Sequence, residues 1–147
     1  FFYVKTKAKL TSHNDKNWML LFIDVDTSKK TGWQGYDYVI NRKVNNDKST
    51  SLYKFINEDW QFVCNIDYTY KENEMEIAIP RIKLGLNKSK MIFNFHWADN
   101  PWDVEIVWGN EDNGQPQKIT YKWNDIEGFF INGDSAPDRR FNFRFEN

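Results

Sequence analysis

Cysteine is almost missing from this chain: Cys64 stands alone among 147 residues, so no internal disulfide can form. That says little about compartment, because a domain of this length buries roughly 68–70% of its unfolded surface and folds without bridges or a structural metal. Histidine is scarce as well, with only His13 and His96. No Cys/His set has zinc spacing, no Gly-x-Ser-x-Gly elbow offers a serine nucleophile, and no glycine-rich phosphate loop occurs. Neither sign of charge is in excess, with 20 Lys plus Arg against 21 Asp plus Glu, which argues against nucleic acid or an anionic membrane surface as partner. No apolar run approaches the ~18 residues of a membrane-spanning helix, so membrane insertion is not expected. The first residues show no initiator Met, basic n-region or cleavage site, and the sequence reads as one domain, 1–147, excised from a longer chain.

What the chain has in abundance is aromatic residues. Twelve Phe, 7 Tyr and 7 Trp make up 18% of it, and the tryptophan content is several times that of an average protein. Runs of period two, rich in aromatic and β-branched residues, recur between clusters of Asn, Asp, Gly and Lys. They predict strands near 2–10, 18–25, 36–43, 51–56, 60–70, 74–79, 91–97, 119–123, 128–132 and 141–145. Glu74-Met75-Glu76-Ile77-Ala78-Ile79 alternates charged and apolar residues, as a strand with one wet and one packed face does. Pro80 ends it, and Arg81 to Gly85 suggests the one short helical turn. Short antiparallel strands without βα alternation predict an all-β, two-sheet, jelly-roll-like sandwich. Residues 100–125, holding Pro101, Gly109, Gly114 and Pro116 beside Trp102, Trp108 and Trp123, read as a long inserted loop.

The densest polar cluster runs from Asp24-Val25-Asp26 through Gly32-Trp33-Gln34-Gly35 to Tyr36-Asp37-Tyr38. Side chains alternate along a strand, so Asp24 and Asp26 share a face, and a hairpin-like return brings Asp37 alongside. Three convergent carboxylates suit Ca²⁺, which takes 6–8 oxygen ligands; Asp-based turn chemistry, neutralised by Lys29, Lys30 or Arg42, is the plain alternative. Trp18 and Trp97 sit in apolar alternation and read as core. Trp33, Trp102, Trp108 and Trp123 lie in or beside polar loops, where an exposed indole can stack on the apolar face of a sugar ring or fold back as a lid. Asp99, Asn100 and Arg139 offer hydroxyl-binding groups at loop ends, although Asp134 and Asp138 beside Arg139 and Arg140 also suit local ion pairs. His96 between Phe95 and Trp97 reads as a structural histidine. Glu74 and Glu76 read as the solvated side of their strand rather than a glycosidase pair, so no catalytic residue is assigned.

Two stretches, Trp18 to Asp26 and Lys30 to Arg42, together with His96-Trp97-Ala98-Asp99-Asn100 and Gly133 to Phe143, resemble the β-sandwich domains related to carbohydrate-binding module family 9 and the wider DOMON-like group. The resemblance implies a noncatalytic carbohydrate-binding accessory domain of an exported bacterial glycan-degrading protein, such as a glycoside hydrolase. Location would then be secreted, periplasmic or at the cell surface. Partners would be a polysaccharide or oligosaccharide and a neighbouring domain. Asp24, Asp26 and Asp37 match an acidic loop that holds metal in some members. Some DOMON-like relatives bind haem, which needs an axial ligand such as His96. A structural module docked on a neighbouring catalytic domain is the rival expectation.

Overall fold

Five consecutive buried residues, Leu20 to Asp24, set the centre of the molecule, because a strand apolar on both faces must be covered on both. This strand is β2 (Leu20–Asp24). In the computed structural model, residues 1–10, 13–15, 18–87, 89–100, 126, 130, 133–138 and 141–147 are described in full, and 104–108 and 117–121 as backbone. β2 pairs antiparallel with β3 (Tyr38–Asn46) on one side and β7 (Ile92–Asp99) on the other. Outward from β3 follow β4 (Ser49–Ile56), β5 (Asp59–Lys71), β6 (Glu74–Ala78) and β1 (Phe2–Lys5). The far edge of β7 is shared by β11 (Phe143–Glu146), opposite its first half, and β10 (Asp134–Ala136), opposite its last residues. The fold is therefore all-β and antiparallel, as the composition predicts.

Local sequence explains the connections. Asn57 and Glu58 both have positive φ, the geometry of a two-residue turn whose twist matches the β4–β5 hairpin. In the β3–β4 turn the Asn46 side chain accepts hydrogen bonds from the Lys48 and Ser49 amides, at 2.9 and 3.0 Å. A single 3-10 turn (Arg81–Leu84) follows Pro80 and stops at left-handed Gly85.

The sheet is long enough to fold over on itself. Phe2 of the first strand packs on Phe93 and Phe95 of β7, at ring-centroid distances of 5.7 and 5.4 Å, although many strands separate the two in sheet order. Between the facing halves lies the main core, which includes Leu21, Ile23, Ile40, Leu52, Ile77 and Trp97. Trp18 and Trp97 are both core, as read from their alternation. A second cluster covers the outer face of β2 and β3, where Leu20, Phe22 and Val39 lie under Tyr36, Trp33, Trp60 and Phe130.

Two expectations are corrected. Residues 100–125 are not simply a loop: β8 (Val104–Trp108) and β9 (Gln117–Tyr121) pair as a hairpin. The strand expected at 128–132 lies outside the described residues except for Phe130, which is helical and packs on Phe22. Its role there is that of an aromatic cover over β2.

Candidate functional site

β2 delivers Asp24 to the edge of the sheet, and the chain then turns back through a loop closed by paired Trp33 and Tyr36 backbone hydrogen bonds of 2.8 Å. Gly32 has φ +68°, and a Cβ there would collide with the Tyr36 carbonyl, so only glycine allows this turn. The Asp37 amide donates to the Ile23 carbonyl at 2.9 Å, which restores strand pairing and sets Asp37 beside Asp24. One oxygen from each of Asp24, Asp26 and Asp37 lies within 4.8 Å of the others, so the convergence predicted from the sequence is present.

Each carboxylate is partly anchored and partly free. Asp24 is only 3% exposed; its Oδ2 accepts from Asn94 Nδ2 at 3.0 Å, while Oδ1 is buried with no hydrogen-bond partner. Asp37 Oδ2 accepts from the Val25 amide at 2.9 Å. Asp26 is exposed and accepts from the Ser28 amide and the Thr31 hydroxyl, at 2.8 Å each. Burial raises the pKa of Asp24; the Asn94 bond and the nearby backbone amides of Thr27 and Asp26 oppose the rise, and the charge of Asp26 adds to it. Burial raises Asp37 as well, with Asp26 and Asp24 contributing and Lys54 opposing. Three crowded acids, one with an orphaned oxygen, form an all-oxygen donor set that fits a hard divalent cation.

Beside the cluster opens a cavity of about 240 Å³ whose lining includes Asp24, Gln34, Tyr36, Asn94, Phe130 and Asn142. The Tyr36 hydroxyl donates to Asn142 Oδ1 at 2.7 Å, and burial holds its pKa above the usual phenol range. Behind it His96 is fully buried, bonded through Nδ1 to the Phe141 carbonyl at 2.9 Å. The imidazole is thus held as a core group, its pKa lowered by burial.

A second cavity, of about 530 Å³, lies at the other end of β7. One wall is the extension of β1, held to the β5–β6 turn by the Thr6 amide on Asn73 at 2.8 Å and the Leu10 amide on Glu72 at 2.7 Å. The other wall is β7 with β10, where Asp99 stands directly opposite Asp134, and Trp97 and Met19 line the space between the walls. Asn100, in the left-handed conformation that Asn tolerates, donates from Nδ2 to Asp134 Oδ2 at 3.0 Å and lines an adjoining hollow with Thr6 and Lys9. Burial, reinforced by the charge of Asp134, pushes the Asp99 carboxyl up to about 6.

The residues singled out in the sequence thus divide between places. Asp24, Asp26 and Asp37 meet; Asp99 and Asn100 meet at the other end of β7. Trp33 is half-buried, stacked on Phe22 at 5.7 Å with an interplanar angle of 23° and edge-on to Phe130, and it lines neither cavity. It is therefore a cover for β2 rather than a free platform. Trp108 ends β8 opposite Gln117. Trp102, Trp123 and Arg139 lie outside the described residues. Sequence reasoning passed over Tyr36, Asn94 and Asn142 as site residues and read Asp134 only as an ion-pair partner; strand alternation gives Asn94 a face, but nothing local reveals that β7 lies beside β2. Comparison with protein-family models, curated proteins and solved structures found no match. The fold and site define an antiparallel β domain with a carboxylate cluster at one end of β7 and an acid-walled cleft at the other.

Proposed function

We propose that this domain is a noncatalytic carbohydrate-binding accessory domain of an exported glycan-degrading protein, with Ca²⁺ on Asp24, Asp26 and Asp37 and saccharide in the cleft at Asp99 and Asn100. The observation that carries the reading is the composition of that cleft: Asp99, Asn100, Asp134 and Thr6 supply hydroxyl partners around a floor that includes Trp97. An apolar surface with a few convergent polar groups is what a sugar ring, apolar on its faces and polar at its rim, requires. The noncatalytic assignment is supported by the placement of Asp99 and Asp134 side by side on one wall, since glycoside hydrolysis needs carboxylates flanking the sugar. The cation would fix the acidic loop and so the outer face of β2; it enters no chemical step.

Affinity electrophoresis and glycan-array screening of the domain test the assignment. Retention by at least one polysaccharide, lost in Asp99→Ala and Asn100→Ala, is expected; absence of binding to every glycan overturns it. One observation favours docking on a neighbouring catalytic domain instead: Phe141, Phe143 and Phe145 are 71%, 44% and 38% exposed along the β11 edge. If the aromatics of that edge govern association with a partner domain and no glycan binds, the docking reading replaces the first.

A further inference from the structure

We propose that the cavity beside the acidic loop is a second saccharide site, in which vicinal hydroxyls of a neutral sugar bind the cation held by Asp24, Asp26 and Asp37. This rests on the cation of the proposed function and is separate from the cleft at Asp99. The cavity has a volume of about 240 Å³, and Asp24 belongs to both features: it is one of the three converging carboxylates and part of the cavity wall. Strand pairing explains the sharing. Asp24 stands opposite Asn94 in the β2–β7 register, so the two side chains leave the same face of the sheet, and the returning loop adds Gln34 and Tyr36 to the same lining.

The Asp24 side chain carries the inference from cluster to cavity. It is 3% exposed and its Oδ1 has no hydrogen-bond partner, so a buried acceptor sits where the cluster meets the cavity with no donor to satisfy it. Three carboxylate oxygens fill only part of the 6–8 positions of Ca²⁺, and positions on the cavity side are open to water or ligand oxygens. The charges decide the ligand class. Three carboxylates, a dication and Lys29, which also lines the cavity, balance to zero, so nothing draws in a further carboxylate and uncharged oxygens are the fitting donors. The remaining groups suit hydroxyls. Asn94 spends its Nδ2 on Asp24 and keeps an acceptor, whereas Asn142 accepts from the Tyr36 hydroxyl and keeps its donors. A sugar hydroxyl both donates and accepts, and Phe130 offers the ring an apolar wall. Two hydroxyls on one ion with one or two hydrogen bonds correspond to a dissociation constant on the order of 1 mM, too weak to retain a polysaccharide without the cleft.

The test loads the Asp99→Ala domain, whose cleft is disabled, with Tb³⁺, which takes the same oxygen donors as Ca²⁺ and is excited through neighbouring aromatic rings. Luminescence lifetimes in light and heavy water count the waters bound to the ion. The ion should carry water, and at least one of the methyl glycosides of mannose, galactose and glucose should displace it at about 50 mM, well above that dissociation constant. Methyl 2,3-dideoxyglucoside, which lacks a vicinal pair, should not. Exposed Asn142→Ala should keep the ion and its water but weaken displacement about fivefold, the loss of one hydrogen bond, and the retained ion shows that the loop is still folded. An ion without bound water, water that no glycoside displaces, or equal displacement by the dideoxy sugar overturns the proposal. So does stronger displacement by galacturonate than by methyl galactoside, or an Asn142→Ala domain that matches its parent. Each of these leaves standing any glycan binding that wild type shows in chelator, where only the cleft operates. Failure to take up Tb³⁺ overturns the cation assignment along with the proposal, and absence of glycan binding by wild type with Ca²⁺ and with chelator overturns the carbohydrate reading as well.

Discussion

Asp24 is the residue at which the needs of the fold and of the site conflict. A carboxylate that is 3% exposed, with one oxygen unpartnered and two more carboxylates within 4.8 Å, is costly to keep ionised, and its raised pKa expresses that cost. A bound divalent cation removes both the desolvation and the repulsion. At a hundredfold excess over its dissociation constant, Ca²⁺ should add about 2.7 kcal/mol, or about 5–10 °C in melting temperature for a chain of this size. Asp24→Asn should act with opposite signs in the two conditions: it relieves the buried charge and raises the melting temperature in chelator, while abolishing the gain from Ca²⁺. Calorimetry of both proteins with chelator and with excess Ca²⁺ checks this. A wild-type melting temperature indifferent to both additions would remove the cation from the acidic loop.

At the scale of elements, the pairing of β7 with β10 makes stability depend on pH. Asp99 holds its proton to about 6, against about 3.9 for an unperturbed aspartate. Between those values the folded chain binds more protons than the unfolded one, so the contribution of Asp99 is complete below about pH 3.9 and is lost as pH rises through about 6. Solvent at this partly exposed site reduces the loss to about 1 kcal/mol. His96 works in the other direction: burial lowers its pKa, so its contribution is present above about 6.5 and is lost as pH falls. The difference between Asp99→Asn and wild type isolates the first effect. It should be near zero at pH 3.5 and favour the variant by a few degrees at pH 7.5, measured by circular dichroism melting; a difference independent of pH would contradict the raised pKa. Legibility in the sequence divides along the same elements. β2 and β6 announce themselves through apolar density and alternation, and the Asp24–Asp37 cluster is readable because one local turn assembles it. β10 is three residues, Asp-Ser-Ala, extended because the edge of β7 supplies its hydrogen bonds. Neither it nor the Asp99–Asp134 pairing has a local signal, since both arise from residues far apart in the chain. Trp33 misleads for the same reason: a polar loop sequence gives no sign that Phe22 and Phe130 wait beneath it.

For the whole molecule, the question is how one long sheet becomes two facing layers. Twist brings its ends toward each other, but the contact that closes them is aromatic: Phe2 on Phe93 and Phe95, with Phe145 stacked on Phe93 from the other edge at 5.0 Å. The two edge phenylalanines are not equivalent. Phe2 joins the first strand of the chain to β7 across the fold, and the same strand continues into the wall of the acidic cleft, whereas Phe145 extends a surface already paired through β11. Phe2→Ala should therefore cost about 2–3 kcal/mol, toward the low end of phenylalanine truncations because the ring is only partly buried. Phe145→Ala, 38% exposed, should cost about 1 kcal/mol or less. Urea unfolding reports both through the midpoint, and Phe2→Ala should also weaken any ligand held in the cleft, because it loosens one of the walls. If Phe145→Ala proves the more damaging, closure depends on the C-terminal edge, and the first strand is an attachment to the sheet rather than the element that shuts it.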